Sequence, residues 1–190
     1  MKRSFGAQAV AYPLPVFFIG TYNISGKPHA MLEAYGGLCC SEPPAIAIAL
    51  RSTHKSYQHI QEKKEYTISI PSAPYVNETD AFGISVNDDI DKFEKTGLTP
   101  VKAEKVDAPY VGEFPVVMEC RLIKTIPIGS HIQIIGEIVD LKIDENILDS
   151  DGYPTVSIIN PLGFDILRSE YYSMGGVVGK AYDCGRKYLL

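Results

Sequence analysis

The 190 residues, 45% hydrophobic and 22% charged with no low-complexity tract, suit one domain over residues 1–190 with a full hydrophobic core. A formal net charge of −5 opposes nucleic-acid binding, which needs a Lys/Arg surplus on one face, yet it leaves room for a local basic pocket around a single phosphate. No apolar run approaches the roughly 20 residues that span a bilayer, and residues 1–8 lack the apolar centre of a signal peptide, so no membrane partner and a cytoplasmic address are expected.

Residues 14–22 read as a first strand, and Asn23-Ile24-Ser25-Gly26 as a hairpin turn into a second strand over 29–35. Pro43-Pro44 ends a loop before residues 45–50, a short continuous apolar run of the kind found in strands buried on both faces. The period then changes. Ser52 or Thr53 caps a short helix through about residue 63, with Tyr57, Ile60 and Gln61 facing inward. Strand returns over 66–70, and residues 74–97 hold two short helices, with Asp88-Asp89 and Asp91 at a solvated helix start and Gly97 as a C-cap.

Residues 116–126 alternate as a long strand, with Met118, Cys120 and Leu122 on one face and Glu119 and Arg121 on the other. In the strand over 131–143, Ile132 and Ile134 have the opposite parity to Leu141 and Ile143. A one-residue bulge near Gly136 reconciles them, and bulges are how sheets curl into barrels. The Gly- and Tyr-rich tail, 171–190, is apolar for a terminus and reads as a segment docked on a partner subunit. The sum is a mainly β chain, an antiparallel barrel with a few helices outside it.

Chemistry concentrates at Arg51-Ser52-Thr53-His54-Lys55-Ser56. This stretch joins the end of a buried strand to a helix start, where free N–H groups and a positive dipole end favour an anion. An ordinary capped surface helix is the alternative. Gly36-Gly37 after Tyr35 either lets the backbone approach a flat group or marks a strand bulge. Cys39, Cys40, Cys120 and Cys184 show no C-x-x-C spacing, and Cys39-Cys40 read as buried thiols. None of His29, His54, His59 and His131 lies four residues from another beside a carboxylate, so no metal site is expected. The chain has no G-x-S-x-G elbow, G-x-G-x-x-G fingerprint or P-loop, which leaves hydrolase, Rossmann and kinase readings without support.

Taken in order, these segments resemble the flavin reductase-like family and its flavoredoxin branch. Tyr12-Pro13-Leu14-Pro15-Val16 resembles the family's opening Y-P-x-P-V, and residues 31–41 its M-T-A-A-W-G-G-I-x-C-S block, followed by Pro43-Pro44. Arg51, Ser56, Tyr57 and Ile60 fall on the R…T-Y-x-x-I phosphate segment. Gly83-Ile84-Ser85, Asp91-Lys92-Phe93 and Gly97-Leu98-Thr99 resemble G-I-S…D-K-F…G-L-T. Pro115-Val116, Glu119-Cys120, Gly129, His131 and Ile135-Gly136-Glu137-Ile138 resemble P-V…E-C…G-x-H-x-x-x-x-G-E-V.

The resemblance implies a homodimeric, antiparallel split β-barrel with FMN bound near the dimer interface. The family's cofactor contacts fall on His29, Tyr35, Arg51, Ser52, Ser56, Lys92, His131 and Phe164. Arg51, Ser52 and Ser56 then hold the phosphate, and Lys92 adds charge toward the phosphate or ribityl chain. Tyr35 and Phe164 flank the isoalloxazine, and His131 donates a hydrogen bond to a polar ring edge. The chain departs from the pattern at three places: His29 stands where Asn is usual, Tyr35 where Trp is usual, and Leu32-Glu33 where Thr-Ala is usual. A carboxylate beside the ring disfavours negative charge on the reduced flavin and lowers its potential. Such a cofactor carries the chemistry itself, with NAD(P)H as electron donor, an acceptor downstream and no obligatory catalytic side chain. A non-enzymatic FMN electron carrier serving a protein partner is the competing reading, and a barrel that has lost its flavin is a third.

Overall fold

The computed structural model describes residues 1–84 and 90–189. Ser85 of the family-like stretch and the Asp88-Asp89 pair lie outside the described residues. The chain opens with β1 (Leu14–Pro15), β2 (Phe17–Tyr22), β3 (Pro28–Glu33), β4 (Gly36–Ser41) and β5 (Pro44–Leu50). Helix α1 (Lys55–Lys63), β6 (Glu65–Ile70), α2 (Val76–Gly83) and α3 (Lys92–Thr96) follow. Next come the short β7 (Pro100–Lys102) and β8 (Pro109–Val111), then the long β9 (Val116–Ile128) and β10 (His131–Ile143). The described chain finishes with α4 (Val156–Ile159), β11 (Leu162–Asp165) and β12 (Glu170–Ser173).

Seven strands make one antiparallel sheet in the order β3-β2-β6-β9-β10-β5-β4. Its two edge strands, β3 and β4, are consecutive in the chain and parted only by Ala34 and Tyr35. The sheet must therefore curl until its edges meet at that corner, and the result is a split barrel. A smaller sheet, β1-β11-β12, stands beside it.

Strand alternation decides what fills each side. Phe17 and Ile19 of β2 point into the barrel with Ile46, Ile48, Tyr66 and Ile68. Phe18 points outward, into a second cluster with Phe82, Phe93, Leu98 and Phe114, where its ring meets Phe114 edge-on at 4.9 Å. Because α2 and α3 cover that outer face, β2 is buried on both sides and shows no polar alternation. Burial of each such side chain stabilises the fold by about 1.5–3 kcal/mol.

The expected bulge in β10 falls three residues past Gly136, at Val139, where the register shifts between Ile138 and Asp140; a shift between Ile135 and Gly136 leaves its extra residue, Ile123, in β9. Gly136 is required where it stands: a Cβ there would fall 2.8 Å from Cζ of Tyr66, whose ring fills the barrel, and nearer still to its hydroxyl. Gly97 closes α3 as expected, at φ 74°.

Several local readings are corrected. The segment after Tyr35 is a strand, with Gly36 and Gly37 paired to Ile48 and Ala47, and the irregularity lies between Leu38 and Cys40. The flat group that Gly36 admits is the chain's own Phe17, whose Cε2 would sit 2.9 Å from an added Cβ. Cys39 and Cys40 are exposed, because β4 is an edge strand; Cys120 is the buried thiol. Helix α1 starts at Lys55 with His54 as N-cap, so neither Ser52 nor Thr53 caps it. Glu119, placed on the polar face by alternation, is fully buried. Its carboxylate accepts from Glu104 N (3.2 Å) and Lys105 N (2.6 Å) and pairs with Lys142 at 3.5 Å, which satisfies an otherwise costly buried charge. Among the described residues, no helix is long and apolar enough to cross a membrane.

Candidate functional site

A cavity of about 550 Å³ opens between β3, the start of α1 and the α2–α3 region. Small-ligand sites commonly occupy roughly 300–1,000 Å³. β3 forms one wall, with His29 and Glu33 as its ionisable groups. Lys55 and His59 lie four apart on one face of α1 and form the second wall. His59 is held by Thr21, whose Oγ1 lies 3.0 Å from its Nδ1, and its ring stands edge-on to His29 at 5.2 Å. Burial holds the His59 imidazole below its ordinary pKa.

The third wall comes from α3. Asp91 caps that helix by accepting from Phe93 N and Glu94 N, and it pairs with Lys27 at 3.2 Å. Lys92 donates to the carbonyls of Phe82 (3.1 Å) and Ile84, so its ammonium ties α3 to the end of α2. Burial lowers its pKa as well.

The 51–56 turn joins β5 to α1 and reaches the cavity through Thr53 and His54. His54 N donates to Arg51 O at 3.0 Å and closes the turn. The N-cap side chain makes no bond to the first turn of α1. Two polar atoms are sealed here with no hydrogen-bond partner among the described residues, Ser56 Oγ and His54 Nδ1, and Ser56 is 0% exposed. Leaving a buried hydroxyl unpaired costs about 1–3 kcal/mol. In native folds such groups are nearly always satisfied, so the pair marks a place where something else supplies the partner. Burial first, then the nearby charges of Arg51 and His131, push the His54 pKa down, which keeps its imidazole neutral at neutral pH.

Tyr35 sits on the β3–β4 corner, its carbonyl accepting from Ala49 N at 2.9 Å. Its ring lies 5.5 Å from His131, whose Nδ1 is 2.9 Å from Ser130 Oγ. Leu50 pairs with Ile132, so Arg51 and His131 emerge at the same end of the β5–β10 ladder. The expected site residues therefore fall into groups. His29 and Lys92 line the cavity, Arg51, Ser52 and Ser56 shape the turn, and Tyr35 and His131 pack together beyond it. His54 lines the cavity, bonds Arg51 O through its backbone N–H and lies within reach of the His131 charge. Phe164 stands apart: it pairs with Leu14 across β11–β1 and lines a separate cavity of about 340 Å³ with Tyr12, Asp165 and Tyr172.

His54, Lys55, Thr53 and His59 were not among the expected contacts. The helical spacing Lys55–His59, adjoining the buried Ser56 and Ile60, is the signal that points to them. Glu33 is also part of the lining. Its Oε1 accepts from Ala34 N (2.9 Å) and Tyr35 N (2.7 Å), which pins the corner that carries Tyr35. Burial raises its carboxyl to about 7 against the opposing pull of those two bonds.

The model of the flavin reductase like domain matches residues 9–164. Among solved structures, the chain is similar to the flavoredoxin of Desulfovibrio vulgaris (Miyazaki F), at 46% identity and a TM-score of 0.92 over 97% of this chain and 100% of that one. A flavoredoxin from Methanosarcina acetivorans superposes with a TM-score of 0.89 at 24% identity, over 99% of each chain. A split-barrel protein from Shewanella frigidimarina NCIMB 400 does so with a TM-score of 0.80 at 23% identity, over 89% of this chain and 86% of that one. The last two show the fold alone; the domain match and the 46% identity show descent. The chain belongs to the flavin reductase-like family of split-barrel flavoproteins, whose chemistry is of the oxidoreductase kind.

Proposed function

We propose that this chain binds FMN in the cavity between β3, α1 and α3, accepts electrons from NAD(P)H and passes them to an acceptor. The observation that carries the reading is the sealed, unpartnered Ser56 Oγ and His54 Nδ1 at the first turn of a helix, beside Arg51. A phosphate dianion supplies what both atoms lack. The Ser56 hydroxyl donates to it, as does His54 in the tautomer protonated at Nδ1. Arg51 adds a bidentate fork, Ser52 a second hydroxyl and the helix start its backbone N–H groups. Lys92 adds positive charge from the α3 side. The wall with His29 and the Tyr35–His131 pair are left for the ribityl chain and ring.

A bound flavin supplies the two-electron chemistry, while the protein binds it, orients it and excludes water. Phe164 takes part at the ring as a feature of the homodimer, since in its own chain it lines the other cavity. We place the protein in the cytoplasm as one domain over residues 1–190.

An absorbance spectrum of the purified protein, followed by anaerobic NADH and NADPH, tests the reading. Flavin bands that bleach rapidly with either nucleotide are expected; bands that persist favour a carrier, and their absence after FMN addition overturns the assignment. Arg51→Ala with Ser56→Ala is expected to weaken FMN binding roughly 10- to 150-fold or more and to leave riboflavin, which lacks the phosphate, nearly unaffected. Unchanged FMN affinity returns the turn to an ordinary helix start.

A further inference from the structure

Glu33 is the cavity residue whose chemistry the flavin reading leaves unused. It is the last residue of β3, opposite Phe17 of β2, in a wall of the cavity. Both corner amides, Ala34 N and Tyr35 N, bond the same oxygen, Oε1. Among the described residues no other hydrogen bond or ion pair engages this carboxyl, so Oε2 is its open position.

The ionisable groups around it are otherwise occupied or distributed on the other walls. Lys27 pairs with Asp91, Lys92 is bound to two carbonyls, and His59 is held by Thr21. Among the described residues, His29 on β3, with His54 and Lys55 at the start of α1, completes the set. Burial, against the pull of two amide bonds, raises the Glu33 carboxyl to about 7. A group near half-ionisation responds most strongly to a change of charge beside it.

We propose that Glu33 is the proton-exchanging residue of this cavity, taking up a proton from solvent at Oε2 when the bound flavin receives two electrons and releasing it when they leave. This rests on the flavin reading. The electrons come from a dihydronicotinamide as hydride, which carries one hydrogen to the cofactor. Separately, an O–H bond forms on Glu33 from a solvent proton, and its carboxylate charge is lost. The corner bonds survive the change, because Oε1 accepts from the two amides in either state. Negative charge arriving next to the carboxyl drives the uptake, and loss of the Glu33 charge in turn favours the reduced cofactor.

The test is the midpoint potential of the FMN-loaded protein against pH, measured electrochemically with no nicotinamide present. One extra proton per two electrons changes the equilibrium tenfold per pH unit, which is about 30 mV. Above about pH 7, the potential of the unmodified protein is expected to fall more steeply than that of Glu33→Gln, by up to that amount. Gln keeps an oxygen for the corner amides and cannot ionise. Superimposable slopes overturn the proposal while leaving the flavin assignment intact; failure of the unmodified protein to bind FMN overturns both. If the variant does not fold, the infrared difference spectrum of the unmodified holoprotein at pH 8 decides. A protonated-carboxyl band gained on reduction supports Glu33 exchange, and its absence overturns it.

Discussion

A hydroxyl sealed without a partner and a carboxyl held near neutrality are both costs to the folded chain, and at Ser56 and Glu33 they lie on or beside one cavity. For Glu33 the cost has a definite pH dependence. Its folded value of about 7 lies above the ordinary 4.5, so the native state binds more protons than the unfolded state between those values. Stability is then fully present below about pH 4.5 and is lost as the pH rises through 7. Glu33→Gln is expected to match the unmodified protein at low pH and to exceed it by up to about 3 kcal/mol above pH 7, read from denaturant midpoints. His54 and His59, whose lowered values cost stability on acidification, are common to both proteins and cancel in the difference. A difference that does not vary with pH refutes the raised carboxyl.

Among the elements, β10 shows how a parity change in sequence becomes curvature. Ile132 and Ile134 cannot share a face with Leu141 and Ile143 unless β10 slips by one residue, and it slips at Val139, three residues past the Gly136 that admits Tyr66. Gly136→Ala is expected to destabilise the fold by about 1–3 kcal/mol through overpacking. Tyr66→Phe in that background should recover part of the loss, because the hydroxyl is the nearest atom to the new methyl. A neutral Gly136→Ala shows that the Tyr66 ring can shift without strain. Period-2 patterns made β6, β9 and β10 legible, and short apolar runs made β2 and β5 so. β4 was not legible, since Gly-Gly-Leu-Cys-Cys-Ser on an edge strand carries no burial signal.

At the scale of the molecule, residues 174–189 are exposed against their own chain, and Val177, Val178, Tyr182 and Leu189 present large apolar surface. Leu38 on the β4 edge is exposed too. A surface of this kind fits a closed two-fold dimer. Light scattering at micromolar concentration is expected to give twice 20.9 kDa. Removing residues 177–190 should shift the mass toward the monomer while the barrel stays folded, because none of residues 177–189 belongs to its core. A 20.9 kDa particle from the intact chain contradicts the dimer.

The sequence by itself determined the barrel's long elements and the parity change within β10, since each follows from local periodicity, and local chemistry offered the 51–56 segment as a candidate anion site. It also carried the family resemblance, because ordered short blocks survive where their intervening residues do not. Only the tertiary structure decided that Cys39 and Cys40 face outward and Glu119 inward, because exposure depends on which strand becomes an edge and which loop folds over it. It alone brought His59 to His29 and left Phe164 in a separate cavity. Those relations join residues far apart in the chain, and only the closing of the sheet on itself sets them.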